Sequence, residues 1–357
     1  MSETLPPSAK FPTVSVFSDM NDPLPKMNTL STRALPWCDT QSKYGENAAM
    51  RCSYHPAYQA SPSGGFPMSK HALLKERLLA EGILEADDIL EPEMVGIDTA
   101  LLVHRREYLD KLQSGSLSAA EQRRLGLPWS EALWRRSRLA TGGTVLAAHT
   151  ALDEGLAGNL AGGAHHAFPD HGEGFCILND VAIAIAKLRA EGAIARAAVI
   201  DLDVHQGNGT AAIFETVPEI FTFSMHGERN YPTAKLRSTL DVALPDGTGD
   251  ADYLDLLGQH LPAVLDRSGA DIAFYLAGVD VTRGDRFGKL ALTEEGVRHR
   301  DRQVIEAVRT RQIPLVIVLA GGYAPSPART AELHAHVFRE AVAHERIRRP
   351  PSTLSAC

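Results

Sequence analysis
The stretch Ala-Ala-Val-Ile-Asp-Leu-Asp-Val-His-Gln-Gly-Asn-Gly, residues 197–209, decides the fold. Ala197 to Ile200 is an apolar, partly β-branched run, the composition of a strand buried on both faces of a parallel sheet. Asp201, Asp203 and His205 then follow at alternate positions. Residues two apart in an extended segment face the same way, so two carboxylates and an imidazole are expected to converge at the strand's carboxyl end. Open α/β sheets bind ligands there. Carboxylates held that close repel unless a cation lies between them. A strand opening into a polar loop explains one Asp, but not two Asp and a His in phase. The stretch reads as a metal site.

Outward from it, helices and strands alternate from about residue 66. Ser69 caps a helix with Leu73, Leu74, Leu78 and Leu79 on its apolar face, ended by Gly82. Ser118 and Glu121 form a capping box that opens a short helix closed by Gly126. Residues 130–154 read as a longer helix, interrupted or closely packed at Gly142-Gly143. A helix at 180–191 leads into the strand at 197–203. A helix at 209–215, a strand at 220–225, a helix at 251–266 and a strand at 271–278 follow. Thr293 caps a helix reaching about Arg311, before a strand at 315–319. Ser326-Pro327 opens the last helix. This alternation predicts a three-layer α/β/α fold with a mostly parallel central sheet. One domain is expected over residues 50–345, because no linker or repeat divides them. Residues 346–357 are expected to form a flexible tail.

Residues 1–49 differ. They are rich in Pro, Ser, Thr, Asn and Asp, lack periodicity, and read as an extended or disordered segment. The alternative is an arm packed on the domain or on a partner. Met50 is a candidate start, and the stretch it opens, Met-Arg-Cys-Ser-Tyr-His-Pro (50–56), is a candidate short first strand. A net charge of −8 argues against a nucleic-acid binder with a broad basic surface. The four cysteines show no CxxC spacing, which disfavours thiolate zinc and a disulfide framework and fits the cytoplasm. The longest apolar run, Ile313 to Ala320, is too short to span a bilayer, so no membrane role is expected.

Chemistry-bearing residues recur just past the strand ends. Gly162-Gly163 leads into Ala164-His165-His166; another strand ends at Val279-Asp280; a third ends at Gly321-Gly322-Tyr323. Singly, Asp280 and Tyr323 read as structural. Together with residues 201–205 they read as one site. With these residues assembled, the chain resembles the histone deacetylase family, within the arginase–deacetylase fold. The likeness is carried by GGAHHAFPDHGEGFCILND (162–180), VIDLDVHQGNG (199–209), AGVDVTRGDRFGKLALT (277–293) and LAGGYAPSPAR (319–329), with HPAY (55–58) and FPMSKHALLKERLLAEG (66–82). HQGNG, GDRFG and AGGY look most like the class IV branch and its bacterial relatives.

The resemblance implies Asp203, His205 and Asp280 as ligands of Zn²⁺, with Fe²⁺ the alternative for so oxygen-rich a set. It implies His166 as general base and then acid, with Asn208 behind it where some members carry Asp. His165, backed by Asp201, would orient water, and Tyr323 would steady the oxyanion. A structural K⁺ is implied near Asp201, Asp203, His205, Ser224 and Met225. Gly174, Phe175 and Tyr231 would line the slot for the acyl-lysine stem. The rim loop Gly126-Leu-Pro-Trp-Ser lacks the Asp with which some relatives grip the substrate backbone.

The expected activity is therefore removal of an acetyl or longer acyl group from lysine side chains of proteins. The alternatives are hydrolysis of acetylpolyamines or other small amides, and an inactive acyl-lysine binding module. An arginase-like two-metal ureohydrolase fits less well, since these motifs supply no bridging carboxylates.

Overall fold
The computed structural model describes residues 50–59 and 68–348. The readings made for residues 1–49 and for Phe66-Pro67 lie outside these. Eight strands, β1 (Arg51–Ser53), β2 (Ile89–Leu90), β3 (Leu156–Asn159), β4 (Ala197–Asp201), β5 (Ile220–Gly227), β6 (Leu240–Leu244), β7 (Ile272–Leu276) and β8 (Leu315–Val318), form one sheet. Their order is β2-β1-β3-β8-β7-β4-β5-β6, and every pairing is parallel. All eight carboxyl ends therefore open on one edge of the sheet.

Both faces are covered, and period-two alternation in the central strands shows how. Ala198, Ile200, Ala273, Tyr275, Leu315 and Ile317 pack into one apolar layer. Its other side comes mainly from α1 (Lys70–Ala80), α8 (Asp250–Ser268), α9 (Glu294–Thr310) and α10 (Pro327–Arg348). Ala197, Val199, Ile272, Phe274, Val316 and Val318 point the opposite way, against α5 (Glu131–Glu154), α6 (Asp180–Ala190) and α7 (Asn208–Phe214). The result is the expected three-layer α/β/α arrangement. On the second side, α2 (Ile97–Ala100), α3 (Arg106–Ser114) and α4 (Ala119–Leu125) add a satellite cluster around Tyr108, Leu112, Leu133 and Ile177.

Local capping signals hold at Ser118 and Thr293 but not at Ser69, which precedes α1 in helical conformation and makes no side-chain cap bond. Ser118 and Glu121 make the reciprocal capping box of α4, and Thr293 caps α9 through the Gly296 amide. Gly142-Gly143 does not interrupt α5. These glycines are close-packing positions, where a Cβ would overlap the Glu93 carbonyl or the Tyr58 hydroxyl. Two boundaries are corrected. Extended structure after Ala197 stops at Asp201 rather than residue 203, and α10 continues to Arg348, past the start of the expected tail, whose residues 349–357 lie outside those described. No described helix is long and apolar enough to cross a membrane.

Candidate metal and catalytic centre
The four central strands, β3, β8, β7 and β4 in spatial order, each deliver one part of the site. Because β4 ends at Asp201, the three ionisable residues do not continue in one extended phase. Asp201 accepts the Asp203 amide at 3.2 Å, and Asp203 in turn accepts the His205 amide at 2.9 Å. These bends turn Asp203 and His205 toward Asp280 beyond β7. One ligand atom from each of Asp203, His205 and Asp280 lies within 4.8 Å of the other two. His205 Nδ1 is 2.9 Å from Asp203 Oδ1 and 3.2 Å from Asp280 Oδ2.

Each carboxylate is held by backbone through its other oxygen. Val204 N donates to Asp280 Oδ1 at 2.9 Å, and Gly321 N donates to Asp203 Oδ2 at 2.6 Å. Asp280 Oδ2 is buried without a hydrogen-bond partner. Burial and then the Asp203 charge push Asp280 up to about 7. Burial lowers His205, but Asp203 and Asp280 outweigh it and hold the imidazole at about 10. A buried pair of like charges with an orphaned oxygen and an adjacent imidazole is a donor set that fits a divalent cation.

The loop after β3 carries the histidines. Asp180, first residue of α6, accepts Gly163 N at 3.0 Å, Ala164 N at 2.7 Å and Thr144 Oγ1 at 2.5 Å, which fixes the turn ahead of His165. His165 Nδ1 lies 2.7 Å from Asp201 Oδ2. Burial disfavours its charge, but Asp201 and Asp203 outweigh burial and raise it to about 9. His166 Nδ1 lies 2.6 Å from Asn208 Oδ1, and Asn208 Nδ2 donates to Glu173 Oε1 at 2.9 Å. With the amide nitrogen committed to Glu173, Asn208 Oδ1 accepts from His166, and His166 Nε2 keeps its lone pair. Burial, then His165 and His205, hold His166 well below the usual imidazole range. One imidazole favours the cation and its neighbour the free base, with ring centroids 4.1 Å apart.

Past β8, the Tyr323 amide donates to Asp285 Oδ2 at 2.6 Å, and the Tyr323 ring lies 4.8 Å from Phe287. Burial and then Asp280 and Asp203 raise the phenol well above its ordinary value, keeping it a donor. A cavity of about 420 Å³ joins these groups. Gly174, Phe175 and Tyr231 line it as expected, and the Tyr231 ring meets His166 edge-on at 5.0 Å. Ser224 and Met225 do not line it; β5 sets Ser224 beside Asp201 in register. Asp201 and Asn208 stand behind the two histidines.

Sequence reasoning missed five contributors. Glu173 backs Asn208, Asp180 builds the histidine turn, and Asp285 anchors Tyr323. Lys70 and Arg136 close the inner end of the cavity, and Lys70 Nζ donates to Ala320 O at 3.3 Å. Burial lowers Lys70 to about 8. The available signal was a Lys-His pair opening an amphipathic helix just ahead of its apolar Ala72, Leu73 and Leu74.

The profile of the Histone deacetylase domain matches residues 66–340. An uncharacterized protein of Picosynechococcus sp. is 43% identical over 297 residues, covering 83% of this chain and 97% of its own. Histone deacetylase 2 of Arabidopsis thaliana is 31% identical over 273 residues, 74% of this chain and 70% of its own. A probable deacetylase of Methanothermobacter thermautotrophicus is 32% identical over 259 residues, 68% and 77% respectively. The crystal structure of the HDA15 HD domain superposes with a TM-score of 0.70 at 22% identity, covering 83% of this chain and 89% of that one, and so shares the fold. By profile, by curated relatives and by fold, this chain belongs to the histone deacetylase family.

Proposed function
We propose that this protein is a zinc-dependent deacylase that removes an acetyl or longer acyl group from lysine side chains of proteins. The observation that supports this reading most is the convergence of Asp203, His205 and Asp280 beside two differently charged histidines at the end of an aromatic-lined cavity. In it, Asp203, His205 and Asp280 would hold Zn²⁺, or Fe²⁺ in its place. The bound ion supplies Lewis acidity toward a carbonyl oxygen and water. His166 Nε2 takes a proton from the attacking water and returns it to the leaving amine. Asn208 and Glu173 keep that ring in the tautomer with Nε2 free. His165, charged through Asp201, orients the water. Tyr323 donates a hydrogen bond from its hydroxyl to the developing oxyanion. Phe175 and Tyr231 shield the lysine stem, whose burial contributes about 0.8 kcal/mol per CH₂.

The same reading places the chain nearest the class IV branch, on the HQGNG, GDRFG and AGGY stretches, and in the cytoplasm on its cysteine usage. It places a structural K⁺ at the Asp201–Ser224 pairing of β4 and β5. Turnover tests the reading. Zinc-reconstituted protein, assayed on acyl-lysine peptides of graded chain length and on acetylpolyamines, should hydrolyse the peptides. Peptides left intact by fully loaded protein would refute it.

A further inference from the structure
The charges lining the cavity run against the charge of the chain. The protein carries a net −8, yet the cavity lining holds five cationic side chains, Lys70, Arg124, Arg136, Arg229 and Lys289, against two carboxylates. Both carboxylates are committed: Asp203 belongs to the metal cluster, and Asp180 is saturated by Thr144, Gly163 and Ala164. Three of the cations stand at the outer end with the exposed rings of Tyr231 and Phe287.

These three cations are placed by fixed backbone rather than scattered. Arg124 lies in the last turn of α4, where its carbonyl and that of Leu125 accept the Gly174 and Phe175 amides at 3.4 and 2.8 Å. Lys289 Nζ donates to the Arg229 carbonyl at 2.8 Å, which ties two rim loops together. Asn230 Nδ2 adds a second tie to the Phe287 carbonyl at 2.6 Å. Among the described residues no ion pair links Arg124 or Lys289 to a carboxylate. Arg229 has only a loose one, to Asp246 at 3.8 Å, with its side chain 72% exposed. Of the half-buried and buried acids flanking the cavity, Glu173 is occupied by Asn208 and His171, and Asp285 by the Phe287, Gly288 and Tyr323 amides. The loop after Gly126 supplies no acid either, and its Trp129 turns inward to donate to Leu112 O.

We propose that Arg124, Arg229 and Lys289 form a cationic collar that selects acylated amines carrying carboxylates close to the scissile amide and turns away polycationic ones. The inference rests on the deacylase reading and narrows it to acyl-lysine in acidic surroundings. A single exposed charge pair contributes about a two- to fivefold effect, so three acting together reach tenfold or more. The effect must fade with salt, because the Debye length is only ~10 Å at 0.1 M.

The test uses full-length zinc-loaded protein and three labelled probes with one acyl group: an acyl-lysine peptide flanked by Asp and Glu, the same peptide flanked by Lys and Arg, and an acylated polyamine. Direct binding by fluorescence anisotropy and turnover are both measured at low and high salt. The acidic peptide should bind at least tenfold tighter than either cationic probe at low salt, with the gap narrowing at high salt. Arg124→Glu with Lys289→Glu should reverse the order, and a melting temperature near wild type shows that the variant is folded. Equal affinities, or a cationic preference in the wild type, would overturn the collar even if all three probes are hydrolysed. Acidic preference in binding with no hydrolysis of any probe would uphold the collar and sink the deacylase reading instead.

Discussion

Gly321→Ala should empty the metal site while leaving the fold intact. Gly321 lies just past β8 with its amide on Asp203, and its backbone is outside the left-handed region, so alanine meets no backbone strain there. The new methyl group would sit 2.6 Å from Asp203 Oδ2 and closer still to Asp280 Oδ2. Restoring an ordinary 3.4 Å contact to Asp203 alone needs about 0.8 Å of movement. Metal ligands tolerate roughly ±0.2 Å. Loss of an outer partner already costs about 10–100-fold in metal affinity, and here the methyl also displaces Asp280 Oδ2, a ligand atom, so at least 100-fold is expected. Metal content after dialysis against a weak chelator measures this directly, beside the melting temperature of the metal-free protein. Gly96→Ala, with nothing within 4 Å of the new methyl, is the control. Stoichiometric metal in Gly321→Ala would mean that the carboxylates do not hold the ion from the positions described.

Other outcomes follow from single side chains. Tyr323→Phe should lower kcat by about 10²–10³ with metal retained, and wild-type turnover would make Tyr323 a packing residue. His166→Ala should lower kcat by about 10²–10⁴ and remove the acid-side, ascending limb of the pH–rate profile that protonation of this base sets, whereas an unaltered profile would reassign the base. His104 is held neutral by burial at about 4, with its Nε2 accepting the Asn179 amide and its Nδ1 against Phe168 O. Its folded pKa lies below the unfolded value near 6.5, so its contribution is present above pH 6.5 and is lost as pH falls toward 4. The stability gap between wild type and His104→Gln, from denaturant melts, should shrink by roughly 3 kcal/mol over that window; a pH-independent gap would rule this out. Deleting residues 1–48 should leave soluble yield and turnover within about twofold, and insoluble product would make the segment structural.

The legible parts of this chain are those where residue type and period agree. β4, β7 and β8 are apolar runs of the right length, and the residues that follow them are rare in such company. The strand β3 was not legible in its own right: Leu156-Ala-Gly-Asn159 contains no β-branched residue, and it is a strand because β1 and β8 pair with it on both sides. β2 has two residues, too few for any period, while β6 alternates buried and half-buried positions in an ordinary five-residue segment. At the site, the groups that would meet substrate were legible from their unusual chemistry. The groups that hold them were not. Asp180 looks like the first acidic residue of a helix, and only the fold reveals that it gathers the Gly163 and Ala164 amides. The phase of Asp201, Asp203 and His205 was misread because carboxylate-to-amide bonds bend the chain where a strand would have continued.

The position of β8 between β3 and β7 has a consequence for biosynthesis. β3 is complete at residue 159, but its second neighbour is not complete until residue 318. At about 5–20 residues per second, the ribosome needs roughly 10–30 s to make the intervening chain. During that interval Leu156–Asn159 offers an unpaired edge, and the histidine loop beyond it has no Tyr323 or Gly321 to pack against. The nascent protein therefore depends on protection of that edge, by chaperones or by its own helices α5 and α6, until the last strand is inserted. Slower elongation between residues 160 and 315 should lower soluble yield more than the same slowing upstream of β3.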